Sequence, residues 1–332
     1  MNAVRDALRD LPGPDTAARD ALETRAADIL RPRGAFARLD ELATWMGAWQ
    51  RTTAPHVARP AAVLFAADHG VAAERVSAYP ADVTAAMLAA FRSRRSTLDA
   101  LARQVGATVH VFDVGVGRPT ANLRVAPAMA REGFAAAFAT GRAAVHGLRA
   151  DLLVVGEMGI GNTTSAAALC TRLLDGGATR WVGRGTGVDD ERYRTKIDVV
   201  REACARTSSI DDPIEIFRHL GGHELAAMAG AFVEARHRSM PVLLDGFVAT
   251  AAILPLWCVE PAIVEHCRAG HCSAEDGHRG LLEQLGLAPV LDLGLRLGEG
   301  SGAMAAVPLV AMACRSLVEV PTFGEWFGDG AR

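Results

Sequence analysis

The sequence predicts an α/β protein: a parallel, Rossmann-like sheet with helices on both faces, plus a small helical subdomain built from the two chain ends. Three observations carry this. Short apolar runs alternate with Ala-rich segments of helical period, the βαβα rhythm that feeds a parallel sheet. Each run empties into glycine plus a polar or acidic residue. The chain ends lack this rhythm and read as helix.

In order, residues 15–30 and 35–49 place apolar side chains at three- and four-residue intervals, divided by the breaker Arg31-Pro-Arg-Gly34. Residues 1–60 are therefore assigned to the helical subdomain. Strand-like runs follow at 61–67, 108–112, 151–155, 241–244 and 262–265. They lead into Asp68-His-Gly70, Asp113-Val-Gly-Val-Gly117, Gly156-Glu-Met-Gly-Ile-Gly-Asn-Thr-Thr164, Asp245-Gly246 and Gly270-His-Cys-Ser-Ala-Glu275. Ligands bind at the carboxyl ends of such strands, so five loops of this kind predict a site within an α/β domain spanning 61–300. From Ser301 an apolar helix runs to about Leu317, and a Gly-rich tail follows. Residues 301–332 are expected to return to the helical subdomain.

Composition narrows the function classes. The 332 residues are 50% hydrophobic and 22% charged, enough to bury a core without disulfides or metals. A net charge of −3 and a pI near 6.4 argue against a nucleic-acid partner, and 5% aromatic residues are too few for a base-stacking platform. The N-terminus mixes Arg and Asp with apolar residues, unlike a signal peptide. The longest apolar runs, 246–259 and 300–314, fall short of the roughly 20 residues of a membrane span. A cytoplasmic protein without a membrane partner is expected. Six cysteines, mostly in helix- or strand-like stretches, suit reduced, buried thiols. Of 35 basic residues, Lys196 alone is lysine. In a chain so biased to Arg, a lone Lys points to a need for a compact ammonium.

Three loops carry chemistry. Gly159, Gly161, Asn162 and Thr163 lie between a strand and a helix start, where backbone amides form an anion site; the alternative is a tight turn. Gly183-Arg-Gly-Thr-Gly-Val-Asp-Asp190 is a second Gly-rich loop, with Lys196 one to two turns beyond it. A phosphate held by Gly185, Thr186 and Gly187 and neutralised by Lys196 is one reading. An acidic helix cap with a solvated Lys is the other. In Leu297-Gly-Glu-Gly-Ser-Gly-Ala303, Glu299 stands between glycines that leave its carboxylate unshielded, unless it serves only as a helix-start acid. Glu157 would face the same crevice. His266-Cys-Arg-Ala-Gly-His-Cys272 matches no compact zinc pattern, so no metal is expected.

Taken in order, a set of blocks resembles one family. They are Phe65-Ala-Ala-Asp-His-Gly-Val71, Val76-Ser-Ala-Tyr-Pro80, the loop 156–164, Gly185-Thr-Gly187 with Lys196-Ile-Asp198, Leu244-Asp-Gly-Phe247, Ser273-Ala-Glu275 with Gly277-His278, and Leu293-Gly-Leu-Arg-Leu-Gly-Glu-Gly-Ser-Gly-Ala303. Together they are similar to the nicotinate-nucleotide:dimethylbenzimidazole phosphoribosyltransferases. The resemblance implies transfer of phosphoribosyl from nicotinate mononucleotide to 5,6-dimethylbenzimidazole, with inversion, giving α-ribazole 5′-phosphate. By similarity Glu299 is the general base, and Glu157 and Lys196 complete the charge constellation. Ser273 and the two Gly loops hold the phosphate, Asp245 borders the site, and Tyr79, Met87, Met158 and Leu297 line the base pocket. Because the pyridinium leaving group is already cationic, the chemistry demands neither metal nor cofactor.

Related enzymes acting on another azole, a purine or a phenol are the alternative within the class. A non-catalytic nucleotide sensor is the alternative outside it, and the presence of Glu299 argues against that. A dehydrogenase is excluded because no G-x-G-x-x-G opens the first βα unit. Helical stretches 225–232 and 303–314 are apolar on most of their circumference and need cover on all sides. With the resemblance, this predicts a homodimer.

Overall fold

A computed structural model describes residues 2–185 and 187–328. Thr186, expected in the phosphate site, and the last four residues of the tail lie outside the described residues.

The chain opens with α1 (Asn2–Ala7), α2 (Thr16–Asp28) and α3 (Ala37–Gln50). Asp15 starts α2 by accepting a bond from the Ala18 amide at 2.9 Å. Then come β1 (Pro60–Ala67), α4 (Val83–Arg92), α5 (Thr97–Gln104), β2 (Thr108–Gly115), α6 (Arg131–His146) and β3 (Leu152–Met158). The middle of the chain forms α7 (Asn162–Leu173), α8 (Ala178–Trp181), α9 (Asp190–Arg206), α10 (Pro213–Leu220) and α11 (His223–His237). The last part holds β4 (Val242–Leu244), α12 (Phe247–Trp257), β5 (Cys267–His271), α13 (Asp276–Gln284), β6 (Pro289–Leu291), α14 (Ser301–Glu319) and α15 (Phe323–Phe327).

The strands form one parallel sheet in the order β2-β1-β3-β4-β5-β6, as expected. Both faces are covered. Along β1, Val63 and Phe65 point into a core shared with α6, α7, α11 and α12, whereas Ala62, Leu64 and Ala66 point into one shared with α3, α4, α5 and α14. This two-residue alternation between two dry layers is why the strand reads as an unbroken apolar run. After β2 the chain crosses back to the other side of β1. The strand order therefore reverses between β1 and β3, beside the carboxyl ends of β3, β4 and β5 that line the crevice.

Two elements differ from expectation. The apolar run at 262–265 is not a strand. Pro261–Val264 is a 3₁₀ turn, capped by the Glu260 carboxylate accepting from the Ala262 amide at 3.1 Å. The strand lies just after it, at Cys267–His271, in residues too small and polar to stand out. Their smallness is a packing requirement: a Cβ on Gly270 would come within 2.6 Å of the Ala303 Cα. The edge strand β6 has three residues and ends the apolar run 287–291, which was not among the expected strands.

At the chain ends, Leu22 and Ile29 meet Leu42, Ala43, Ala313 and Leu317 in a small third core. The Arg25 guanidinium bonds the Leu317 and Val320 carbonyls, tying α2 to the end of α14. The other side of α14 packs on the sheet through Ala303, Val307 and Val310. By length and composition this 19-residue helix could cross a membrane, but much of it is buried under the strands.

The helix α11 corrects one premise of the dimer argument. Residues 224–236 are all buried within this single chain. The helix is apolar all round because it is enclosed by α6, α12 and the sheet, and it needs no second subunit. Gly141 and Gly230 permit the approach: a Cβ on Gly141 would strike the Ala227 carbonyl at 1.7 Å. On α14, by contrast, Met312 remains 53% exposed and Leu309 half-buried.

Candidate active site

The crevice at the ends of β3, β4 and β5 encloses about 650 Å³ including its open mouth. The loop after β3 forms one wall. Gly161, at φ +99°, caps α7 in a conformation that disfavours any side chain. The turn is closed by the Asn162 amide bonding the Gly159 carbonyl and the Thr164 amide bonding that of Gly161. Asn162 Nδ2 donates to the Glu157 carboxylate beside it.

Lys196 reaches back from α9 and is 1% exposed, so the solvated reading of this residue is wrong. Its Nζ donates to Thr163 Oγ1 and to the Gly183 carbonyl, both at 2.9 Å. It therefore clamps the two Gly-rich loops together. Burial lowers its pKa to about 8, against the pull of Glu275 and Asp276. The acid-cap reading holds separately for Asp189, which accepts from the Arg192 amide at 2.8 Å.

Glu299 occupies the third loop in the left-handed conformation, φ +65°, between Gly298 at +83° and Gly300 at +82°. A non-glycine residue there is strained by about 1 kcal/mol or more. What holds it is Asp245. That buried carboxylate accepts from the Gly300 amide at 3.0 Å and the Ala303 amide at 2.9 Å, fixing the start of α14. The Ser301 hydroxyl donates to the Gly298 carbonyl at 2.7 Å. Bare backbone at Gly156 lets the loop lie across β3, because a Cβ there would be 2.4 Å from the Glu299 carbonyl.

Glu299 is 4% exposed, and its Oε2 has no hydrogen-bond partner among the described residues. Burial, then the negative charges of Asp245 and Asp99, push its pKa up to about 7. Burial and Asp245 push Glu157 up to about 8, in spite of the Asn162 bond. Two buried carboxyls held near the neutral range are suited to taking up a proton or meeting a cation.

Glu157, Met158, Gly159, Asn162, Thr163, Gly185, Ser273 and Leu297 all line the crevice. Lys196 and Asp245 are not in that lining but hold its loops, and Glu299 follows the lining residue Gly298 directly. Tyr79, 53% exposed, and Met87, packed on the same sheet core as Met158, are not among the residues lining this crevice. The neutral His278 bonds the Ser273 amide at 2.8 Å and Thr250 Oγ1 at 3.0 Å, and burial lowers its pKa to about 3. Among the described residues no group of three His, Cys, Asp or Glu is placed to hold a metal.

Sequence reasoning missed Ile160, Phe247, Val248, His271, Glu275 and Arg296, which also line the crevice. For His271 and Glu275 the signal was present, since they flank Ser273 in a strand-end loop. The strand's misplacement at 262–265 obscured their position.

A phosphoribosyltransferase family model matches residues 11–326. The nicotinate-nucleotide–dimethylbenzimidazole phosphoribosyltransferase of Ruegeria sp. (strain TM1040) is 47% identical over 98% of this chain and 96% of its own length. That of Novosphingobium aromaticivorans is 46% identical over the same shares. The crystal structure of CobT from Thermus thermophilus superposes with a TM-score of 0.90 at 40% identity, covering 95% of this chain and 100% of that one.

Proposed function

The chain belongs to the nicotinate-nucleotide–dimethylbenzimidazole phosphoribosyltransferase family, and from that premise we propose how its crevice does the chemistry. The reaction moves phosphoribosyl from nicotinate mononucleotide to 5,6-dimethylbenzimidazole in cobalamin assembly, giving α-ribazole 5′-phosphate and nicotinate.

The phosphate sits against Ser273 and against the loops of Gly159, Gly161, Thr163 and Gly185, which Lys196 clamps together. This leaves C1′ near Glu157 and Glu299. The azole lone pair attacks C1′ as the bond to the pyridinium nitrogen breaks, and that electron pair returns to the departing nicotinate. The proton on the other azole nitrogen passes to Glu299. A bound pyridinium adds positive charge beside the two carboxyls, drawing Glu157 and Glu299 toward their ionised forms. Glu157 then faces the developing oxocarbenium ion as a carboxylate. The observation that carries this reading is Glu299: strained, anchored, buried, and with a carboxylate oxygen unpaired among the described residues. Incubating the purified protein with both substrates should yield α-ribazole 5′-phosphate by chromatography; absence of product would sink the reading.

A pH dependence follows. Glu299 must be deprotonated to accept the azole proton, and its pKa is raised to about 7. With dimethylbenzimidazole saturating, kcat/KM for nicotinate mononucleotide should fall below about pH 8 as Glu157 takes up its proton, and more steeply below about pH 7 as Glu299 follows. The limb in kcat should lie lower, because the bound cation stabilises the carboxylate. A kcat/KM profile flat to pH 5 would remove Glu299 from the mechanism.

The assembly we propose is a homodimer. With α11 enclosed, its support is the family resemblance and the outer face of α14 around Leu309 and Met312. An obligate interface of above about 2,000 Å² is expected. Light scattering at low micromolar protein should report close to twice 35.0 kDa, and a fully active monomer would contradict this.

A further inference from the structure

His271 ends β5 where the strand enters the crevice, and its ring forms part of the crevice wall. It is 2% exposed, and neither ring nitrogen has a hydrogen-bond partner among the described residues. The nearest polar atom, Asp245 Oδ1, is 3.5 Å from Nε2 and already accepts from the Ala303 amide. A neutral imidazole carries one donor and one acceptor, and leaving both unpaired away from water is unfavourable. The ring is nevertheless held in place. A Cβ on Gly302 would fall 2.2 Å from its Cδ2, so the first turn of α14 packs directly against it. A rigid, buried, unpartnered polar group in the wall of a substrate site marks a contact that the substrate completes.

Position and charge select which part of the substrate. Ser273, two residues along, lines the crevice together with Gly159, Thr163 and Gly185, and Asp245 on the other side anchors the loop of Glu299. Between phosphate and reacting carbon lies the sugar. A phosphate oxygen is disfavoured beside the Asp245 carboxylate, whereas a hydroxyl can donate to one nitrogen or accept from the other without adding charge. We infer that His271 hydrogen-bonds a ribose hydroxyl of the phosphoribosyl group and sets the enzyme's preference for ribose over deoxyribose. This rests on the crevice reading given above.

The test is a cycle of substrate and side-chain truncation. Nicotinate mononucleotide, its 2′-deoxy and 3′-deoxy forms and nicotinate riboside are compared as donors to dimethylbenzimidazole, in wild type and in His271→Phe, which keeps a ring of similar shape. The cycle cancels the intrinsic effect of a missing hydroxyl on reactivity. Wild type should lose roughly 10- to 100-fold in kcat/KM on removal of one of the two hydroxyls. In His271→Phe that penalty should shrink to the intrinsic effect, at least tenfold smaller, while the penalty for the missing phosphate stays as in wild type. An unchanged hydroxyl penalty overturns the inference, and so does a change confined to the riboside, which would place His271 on the phosphate. Should His271→Phe fail to fold, the same ratios are read in His271→Gln, where an unaltered hydroxyl penalty is equally fatal. Wild-type failure on nicotinate mononucleotide itself would instead overturn the transfer reading.

Discussion

Glu299→Gln is expected to leave nicotinate mononucleotide binding intact while lowering kcat by roughly 10²–10⁴-fold, the usual contribution of a general base. The substitution keeps the size of the side chain and removes only its ability to accept the azole proton. The loop should survive it, because its anchors are the Asp245 carboxylate on the Gly300 and Ala303 amides and the Ser301 hydroxyl on the Gly298 carbonyl. Calorimetry with nicotinate mononucleotide reads binding, single-turnover kinetics read chemistry, and Tm reads the loop. Turnover near wild type would exclude Glu299 as the base. Glu299→Gly separates strain from chemistry. Glycine accepts φ +65° freely, so this variant should lose activity to a similar degree without losing thermal stability.

Lys196→Arg is expected to raise KM for nicotinate mononucleotide roughly 10- to 100-fold although the charge is conserved. Lys196 is buried between two loops, its ammonium donating to Thr163 Oγ1 and the Gly183 carbonyl at 2.9 Å each. The larger, planar guanidinium must displace one loop to fit, and overpacking of this kind costs about 1–3 kcal/mol. That displacement separates the groups that hold the phosphate. Lys196→Met tests charge apart from size: it fills similar space but leaves the Gly183 carbonyl without its donor, so it should also raise KM. Kinetics indistinguishable from wild type in Lys196→Arg would show that the loops are not held together by this ammonium.

Much of the site was legible in the sequence, for a local reason. A parallel sheet delivers its ligand to the strand ends, so the residues that leave the apolar runs belong to the crevice wherever the strands pair. Glu157 and the Gly159–Thr163 turn were placed at the crevice that way, and Glu299 was singled out by the glycines on both sides of it ahead of an apolar helix. Roles that depend on what lies opposite were not legible. Asp245 follows β4 like a ligand-binding acid, but its two oxygens are occupied by amides 55 and 58 residues away.

The sequence by itself determined the α/β class, the parallel sheet, the loops that build the crevice and the family. Each of these is written in periodicity or short contiguous motifs that the backbone must obey locally. Only the tertiary structure decided which side chains are buried and against what. It enclosed α11 within one chain, moved the fifth strand from 262–265 to Cys267–His271, turned Lys196 inward and left the His271 ring without a hydrogen bond among the described residues. Burial and pairing are properties of distant segments meeting, and the residues that meet carry no mark of it in their own neighbourhood.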